Sequence, residues 1–203
     1  MQQSVNLAIG HGHIAGRISP GLEPLLAAFV RNFDEFGEVG AAVAVYHHGE
    51  LVADLWGGLA DNVSGRPWEE NTVTLVFSAA KGPTATCINL LVDQSLLDVN
   101  DPVSHYWPEF GCNGKEAITV RQVLCHSAGL AAVDGELTLE QVLEWHPVVE
   151  AIARQAPNWE PGSQHGYHAR SYGWILGELI RRITGLSAGQ YLAREGACQV
   201  AAR

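Results

Sequence analysis

The sequence predicts an α+β chain in which an antiparallel hairpin near the N-terminus precedes a long run of helices. Three observations carry this prediction. Ala41 to Tyr46 and Leu51 to Trp56 are short apolar runs separated by the polar turn His47-His48-Gly49-Glu50, which is the pattern of a β-hairpin. Ser171 to Thr184 places Tyr172, Ile175, Leu176, Leu179, Ile180 and Ile183 at three-and-four spacing, a single apolar stripe on a helix that Gly185 stops. With 47% of its 203 residues hydrophobic, the chain can bury a substantial core.

Taken in order, residues 1–15 contain the Gly- and His-rich stretch Gly10-His11-Gly12-His13 and read as a flexible leader, with residues 16–203 as one domain. Leu22, Leu25, Leu26, Phe29, Val30 and Phe33 then form the buried stripe of a helix that starts after Pro20-Gly21. After the hairpin, Asp61 to Asn71 is a polar loop, and Thr72 to Phe77 is a brief extended segment leading into Ser78. Ala85 to Leu97 is helical, with Pro83 tolerated near its N-terminus. Asp98 to Val103 turns into a short helix whose packed end is Tyr106 to Phe110. Ile118 to Leu124 is a helix capped by Thr119, and Thr138 to Gln155 holds two helices separated by Pro147. Ala156 to Gly166 is a loop, and Ser187 begins a last helix.

Composition excludes several function classes. The formal charge is −10 and the pI about 5.3, with no basic cluster beyond Arg181-Arg182, which argues against nucleic acid or an anionic membrane as partner. The N-terminus lacks a basic start followed by an apolar core, so a cytoplasmic location is expected. The apolar runs are too short to span a bilayer. Cys87, Cys112, Cys125 and Cys198 show no CxxC spacing and read as free thiols. Cys125 beside His126 is a weak metal or Cys/His catalytic candidate, because adjacent helical residues point in different directions. No cofactor or metal is expected.

The stretch VFSAAKGPTAT, Val76 to Thr86, places Ser78 and Lys81 three apart at a helix start, on one face. A serine hydroxyl becomes a useful nucleophile once a nearby group takes its proton, and a lysine held close is one such group. The same spacing is a signature of β-lactamases and penicillin-binding proteins. On spacing alone, an exposed lysine with Ser78 as a helix cap accounts for it equally well. Lys81 and Lys115 are the chain's only lysines, which sharpens the signal.

The flanking residues carry a family resemblance. DLWGG at Asp54 to Gly58, VFSAAKG at Val76 to Gly82, LDVNDPV at Leu97 to Val103, RQVLCHSAGL at Arg121 to Leu130 and PGSQHGYHARSYGWILGELIRRITG at Pro161 to Gly185 occur in the order seen in serine β-lactamase-related proteins. Together they resemble most closely the carboxylesterases that look like class C β-lactamases. The resemblance spans residues 15–194 and implies a β-lactamase/transpeptidase-like fold. It implies Ser78 as the nucleophile that forms an acyl-enzyme, Lys81 as the lysine that helps deprotonate it, and Tyr167 as general base, with a structural tyrosine as the bland reading of Tyr167.

Two departures qualify the resemblance. Ala169 stands where β-lactamases of this kind carry asparagine, which weakens a lactamase reading, and His168 between them has no assigned role. The family's third motif lies on a later strand that also supplies an oxyanion donor, and nothing after Tyr167 matches it. The resemblance therefore implies a domain lacking its C-terminal part, with an exposed sheet edge suited to self-association. The expected activity is cleavage of short acyl esters. Two alternatives are an inactive β-lactamase-related domain and a β-lactamase or D,D-peptidase.

Overall fold

A computed structural model of the chain describes residues 2–201, with side chains through residue 195. It comprises two compact units, one ending at Leu75 and the other beginning at Val76.

In the first unit, strands β1 (Gln3–Ile9) and β2 (Gly12–Ile18) form an antiparallel hairpin, helix α1 (Glu23–Phe36) follows, and β3 (Gly40–His47) and β4 (Glu50–Asp61) form a second hairpin. The sheet order is β1-β2-β4-β3, and the short strand β5 (Arg66–Pro67) pairs with β4. All of these pairings are antiparallel. Val5, Ile14, Ile18, Ala53 and Leu55 are buried together with Phe29 of α1.

The N-terminal residues correct the expectation of a flexible leader. Residues 3–15 belong to β1 and β2, in register Val5↔Gly16 and Leu7↔Ile14. The cause lies in period-two placement: Val5, Ile14 and Ile18 face the core while Asn6, His13 and Arg17 stay exposed, so the strands bury an apolar face that the Gly10–His13 turn obscures. Gly16 completes the joint to β4. A Cβ there would meet Asp54 O at 2.0 Å, so only glycine allows the close approach of the two backbones.

The second unit is helical. The stretch 72–76 forms no strand, and a 3₁₀ turn over Phe77–Ala80 runs directly into α2 (Lys81–Asp93). Then come α3 (Val103–Tyr106), a 3₁₀ turn at Pro108–Phe110, α4 (Val120–Leu124), α5 (Leu139–Leu143), α6 (His146–Arg154), α7 (Ser171–Thr184) and α8 (Ala188–Ala201). Two of the shortest helices owe their starts to capping boxes. The side chains of Thr119 and Thr138 accept from the backbone of Gln122 and Gln141, whose side chains accept in return. Pro147 lies inside the first turn of α6 rather than between helices, and Trp145, at φ 70°, makes the break.

The α7 stripe is the centre of the core, with Ile175, Leu176, Leu179 and Ile180 fully buried against Ile88, Leu91, Trp107, Phe110 and Ile152. Cys87, Cys112 and Cys125 are free thiols, and the side chain of Cys198 lies outside the described residues. Among the described residues, no helix is long and apolar enough to cross a membrane.

Lys115 and Glu178 are both buried in this unit. Glu178 is 1% exposed and accepts from Trp145 Nε1 at 2.9 Å, Arg181 at 2.8 and 2.6 Å and Arg182 Nε at 2.7 Å. Burial works to raise its pKa, but the hydrogen bonds from Arg181, Trp145 and Arg182 outweigh it and bring the carboxyl from 4.5 down to about 2. The network therefore stabilises the fold fully above about pH 4.5 and loses its contribution, about 3 kcal/mol, as pH falls toward 2. Urea denaturation across that window should show this loss. Glu178→Gln should be less stable by about 3 kcal/mol at neutral pH and should lack that acid dependence.

Candidate active site

Ser78 sits on the 3₁₀ turn and Lys81 is the first residue of α2, so one turn of chain sets both. Phe77, immediately before Ser78, has φ 45°, an uncommon backbone angle for a bulky residue and one that redirects the chain just before the hydroxyl. Lys81 Nζ donates to Ser78 Oγ at 3.0 Å and to the Ala169 carbonyl at 2.8 Å. Tyr167 Oη donates to Ser78 Oγ at 2.6 Å. The three residues singled out in the sequence thus meet at one oxygen.

Tyr167 is delivered by a loop that is bound along its length to the segment after α4. Asn158 N–H donates to Gly129 O at 2.6 Å, Gly162 N–H to Ser127 O at 2.8 Å and Gly166 N–H to His126 O at 3.0 Å. Beyond the tyrosine, His168 N–H donates to His126 Nδ1 at 3.1 Å, and Ser171 Oγ donates to Leu130 O. Gly166 is required for this path, since a Cβ there would meet the Trp159 ring at 2.3 Å.

His168 is not bonded to Ser78, Lys81 or the Tyr167 hydroxyl. It is fully buried, its Nδ1–H donates to Gly166 O at 2.6 Å and its Nε2 accepts Leu130 N–H at 3.0 Å, so both nitrogens are used within the protein. Burial pushes its pKa down, which keeps the ring neutral as that pattern requires. His126 was missed as a site-forming residue. Its backbone and ring accept from the residues on both sides of Tyr167, and its ring lies 5.1 Å from the Tyr167 ring. The RQVLCHSAGL run was visible in the sequence, but the bonds that give it a role are long-range. Among the described residues, no three His, Cys, Asp or Glu side chains gather around a common point, at Cys125-His126 or elsewhere.

The electrostatics favour the ionised form of Tyr167. The Ser78 hydrogen bond and then the Lys81 ammonium lower the Tyr167 phenol from its ordinary value of 10.0. Lys81 Nζ also lies 4.8 Å from the Tyr167 ring centroid. By contrast, burial raises Tyr106, Tyr172 and Tyr191.

The family described as Beta-lactamase matches residues 28–196. The "Esterase/beta-lactamase LipL" of Mycobacterium tuberculosis is 40% identical over 175 residues, covering 83% of this chain and 40% of that protein. Among solved structures, a family VIII carboxylesterase superposes with TM-score 0.86 at 40% identity, over 90% of this chain and 50% of the other. A penicillin-binding protein homolog from Caulobacter crescentus superposes with TM-score 0.85 at 36% identity, over 92% and 50% respectively. The chain thus spans about half or less of the length of the relatives it matches.

Because the other shifted tyrosines move upward, Tyr167 should ionise before Tyr106, Tyr172 and Tyr191 as pH rises. Ultraviolet difference titration against Tyr167→Phe should show this early phenolate, and Ser78→Ala or Lys81→Met should move it to higher pH. An early phenolate that survives in Tyr167→Phe would refute the assignment.

Proposed function

The chain belongs to the β-lactamase family, and we propose that it carries the acylating residues of a serine carboxylesterase. The observation that supports this best is that Ser78 Oγ is hydrogen-bonded to both Lys81 Nζ and Tyr167 Oη, at 3.0 and 2.6 Å. A hydroxyl so placed has a fixed cation within one bond and, once Tyr167 is ionised, a proton acceptor.

In this reading Tyr167, as phenolate, takes the Ser78 proton while Oγ attacks the ester carbonyl. The Lys81 charge stabilises the phenolate before transfer and stays fixed through its bond to Ala169 O. Collapse of the tetrahedral intermediate expels the alcohol, which takes its proton from Tyr167. Water then attacks the acyl-Ser78 and gives a proton to Tyr167; collapse of the second tetrahedral intermediate releases the acid, and Ser78 Oγ takes its proton back from Tyr167, which restores the phenolate. No step draws on a metal or cofactor.

Ala169 supports an ester over a β-lactam or D-Ala-D-Ala peptide as substrate. An asparagine amide at that position would offer hydrogen bonds to a substrate carbonyl, and a methyl offers none. A neutral ester needs fewer such contacts than a carboxylated lactam.

Intact-mass analysis after exposure to a fluorophosphonate or p-nitrophenyl acetate should show one adduct, absent in Ser78→Ala. Tyr167→Phe should slow its formation about a hundredfold or more. Nitrocefin should be turned over far more slowly than the ester. A folded protein giving no Ser78 adduct, or the same rate without Tyr167, would overturn the reading.

A further inference from the structure

Tyr167 is gripped on both sides by one residue that the proton transfers leave unused. The carbonyl oxygen of His126 accepts the Gly166 N–H at 3.0 Å, and its ring Nδ1 accepts the His168 N–H at 3.1 Å. The two donors flank Tyr167, so the peptide that carries the phenol is held at two points by a single residue. His126 stands in the left-handed region, at φ 59°, just after the end of α4. Its own N–H donates to the Val123 carbonyl at 3.1 Å, which ties the grip to that helix.

The ring bond holds in only one protonation state. A ring nitrogen accepts only while it carries no proton, so this bond requires a neutral imidazole with its hydrogen on Nε2. A proton on Nδ1 would set two N–H groups against each other and release the peptide after Tyr167. The groups facing the ring are Lys81 from α2, His165, Tyr167 and His168 from the loop, and Tyr172 from α7. Burial first, then the Lys81 ammonium and His165, push the His126 pKa below its ordinary 6.5. The neutral form is therefore the folded one: the bond is complete above pH 6.5 and is lost as pH falls through the lowered value.

We propose that His126 is a positioning residue for Tyr167, and that its protonation unclamps the Tyr167 loop and switches the site off in acid. The inference rests on Tyr167 acting as the base for Ser78. Charge and geometry pull in opposite directions here, which makes the role separable. A positive imidazole whose centroid lies 5.1 Å from the Tyr167 ring would, through its charge, favour the phenolate. A role through charge alone therefore raises activity when His126 is protonated, whereas a role through the backbone bond lowers it. The backbone bond dominates, because proton transfer needs Tyr167 Oη at 2.6 Å from Ser78 Oγ. A misplacement of about 1 Å at a reacting group can cost about a hundredfold in rate.

The test uses the full chain, with nitrogen resonances for the structure and p-nitrophenyl acetate for the rate. In the wild type the His126 ring should titrate below pH 6.5 with Nδ1 as its bare nitrogen. Across the same range the protection of the His168 amide against hydrogen exchange should fall about tenfold or more. The logarithm of kcat/KM should rise with slope one where only Tyr167 ionises, and steepen to slope two where His126 titrates as well. His126→Asn puts a non-titrating acceptor oxygen at the δ position, so it should keep kcat within about threefold of wild type at neutral pH and show slope one throughout. His126→Ala should lower kcat about tenfold or more with KM within about twofold. Protection of the His168 amide that ignores the ring titration would overturn the proposal, as would a folded His126→Asn that is as slow as His126→Ala or keeps the steep limb. Should no ester be cleaved while the His168 amide still follows the ring, the clamp is supported and the esterase reading alone fails.

Discussion

The arrangement of the second unit depends on holding one tyrosine oxygen within a hydrogen bond of a serine 89 residues away in the chain. A bond of that kind contributes roughly 1 kcal/mol, far too little to close such a loop by itself. The closure is made instead by bonds between the 126–130 segment and the 158–171 loop, mostly through backbone groups. Backbone bonds suit the task because they fix the path of the loop whatever its exposed side chains are. Tyr167, 55% exposed, could not be held by its own packing.

Lys81 holds the other side of the site. Among the described residues no carboxylate pairs with it, and its partners are a hydroxyl and a backbone carbonyl. A carboxylate neighbour would spread its field over two anions and weaken its hold on the Tyr167 phenolate. Neutral acceptors fix its position and leave its charge available. Elsewhere in the unit the opposite choice is made: Glu178 is surrounded by two arginines and an indole, which suits a structural anchor rather than a reacting group.

Much of this was readable from sequence because it is local. The α7 stripe, the β3–β4 hairpin, the Thr119 cap and the Ser78–Lys81 pair each rest on residues a few positions apart. Tyr167 was reachable only through the family resemblance. What escaped is long-range or masked: Val5 and Ile14 alternate correctly for strands, but the Gly10–His13 turn between them dominates the local composition. The roles of His126 and His168 depend on bonds to residues about 40 positions away, 42 for one and 38 for the other, which no spacing rule reaches. The neutrality of His168 follows from those partners and could not have been assigned from its place beside the tyrosine.

The same reasoning explains why an alanine at position 169 is compatible with an intact Ser78–Lys81–Tyr167 cluster. The sequence makes its lack of an amide look like a loss, because an asparagine there would help hold the lysine. In the folded chain it is the carbonyl of residue 169 that holds Lys81, and a carbonyl is present whatever the side chain. The side chain is thereby relieved of a positioning duty and left to shape what lies next to the lysine. With a methyl, that neighbour is the edge of an apolar cavity. One backbone atom thus separates the residue's hold on Lys81 from what its side chain presents to the cavity, so the second can change without disturbing the first.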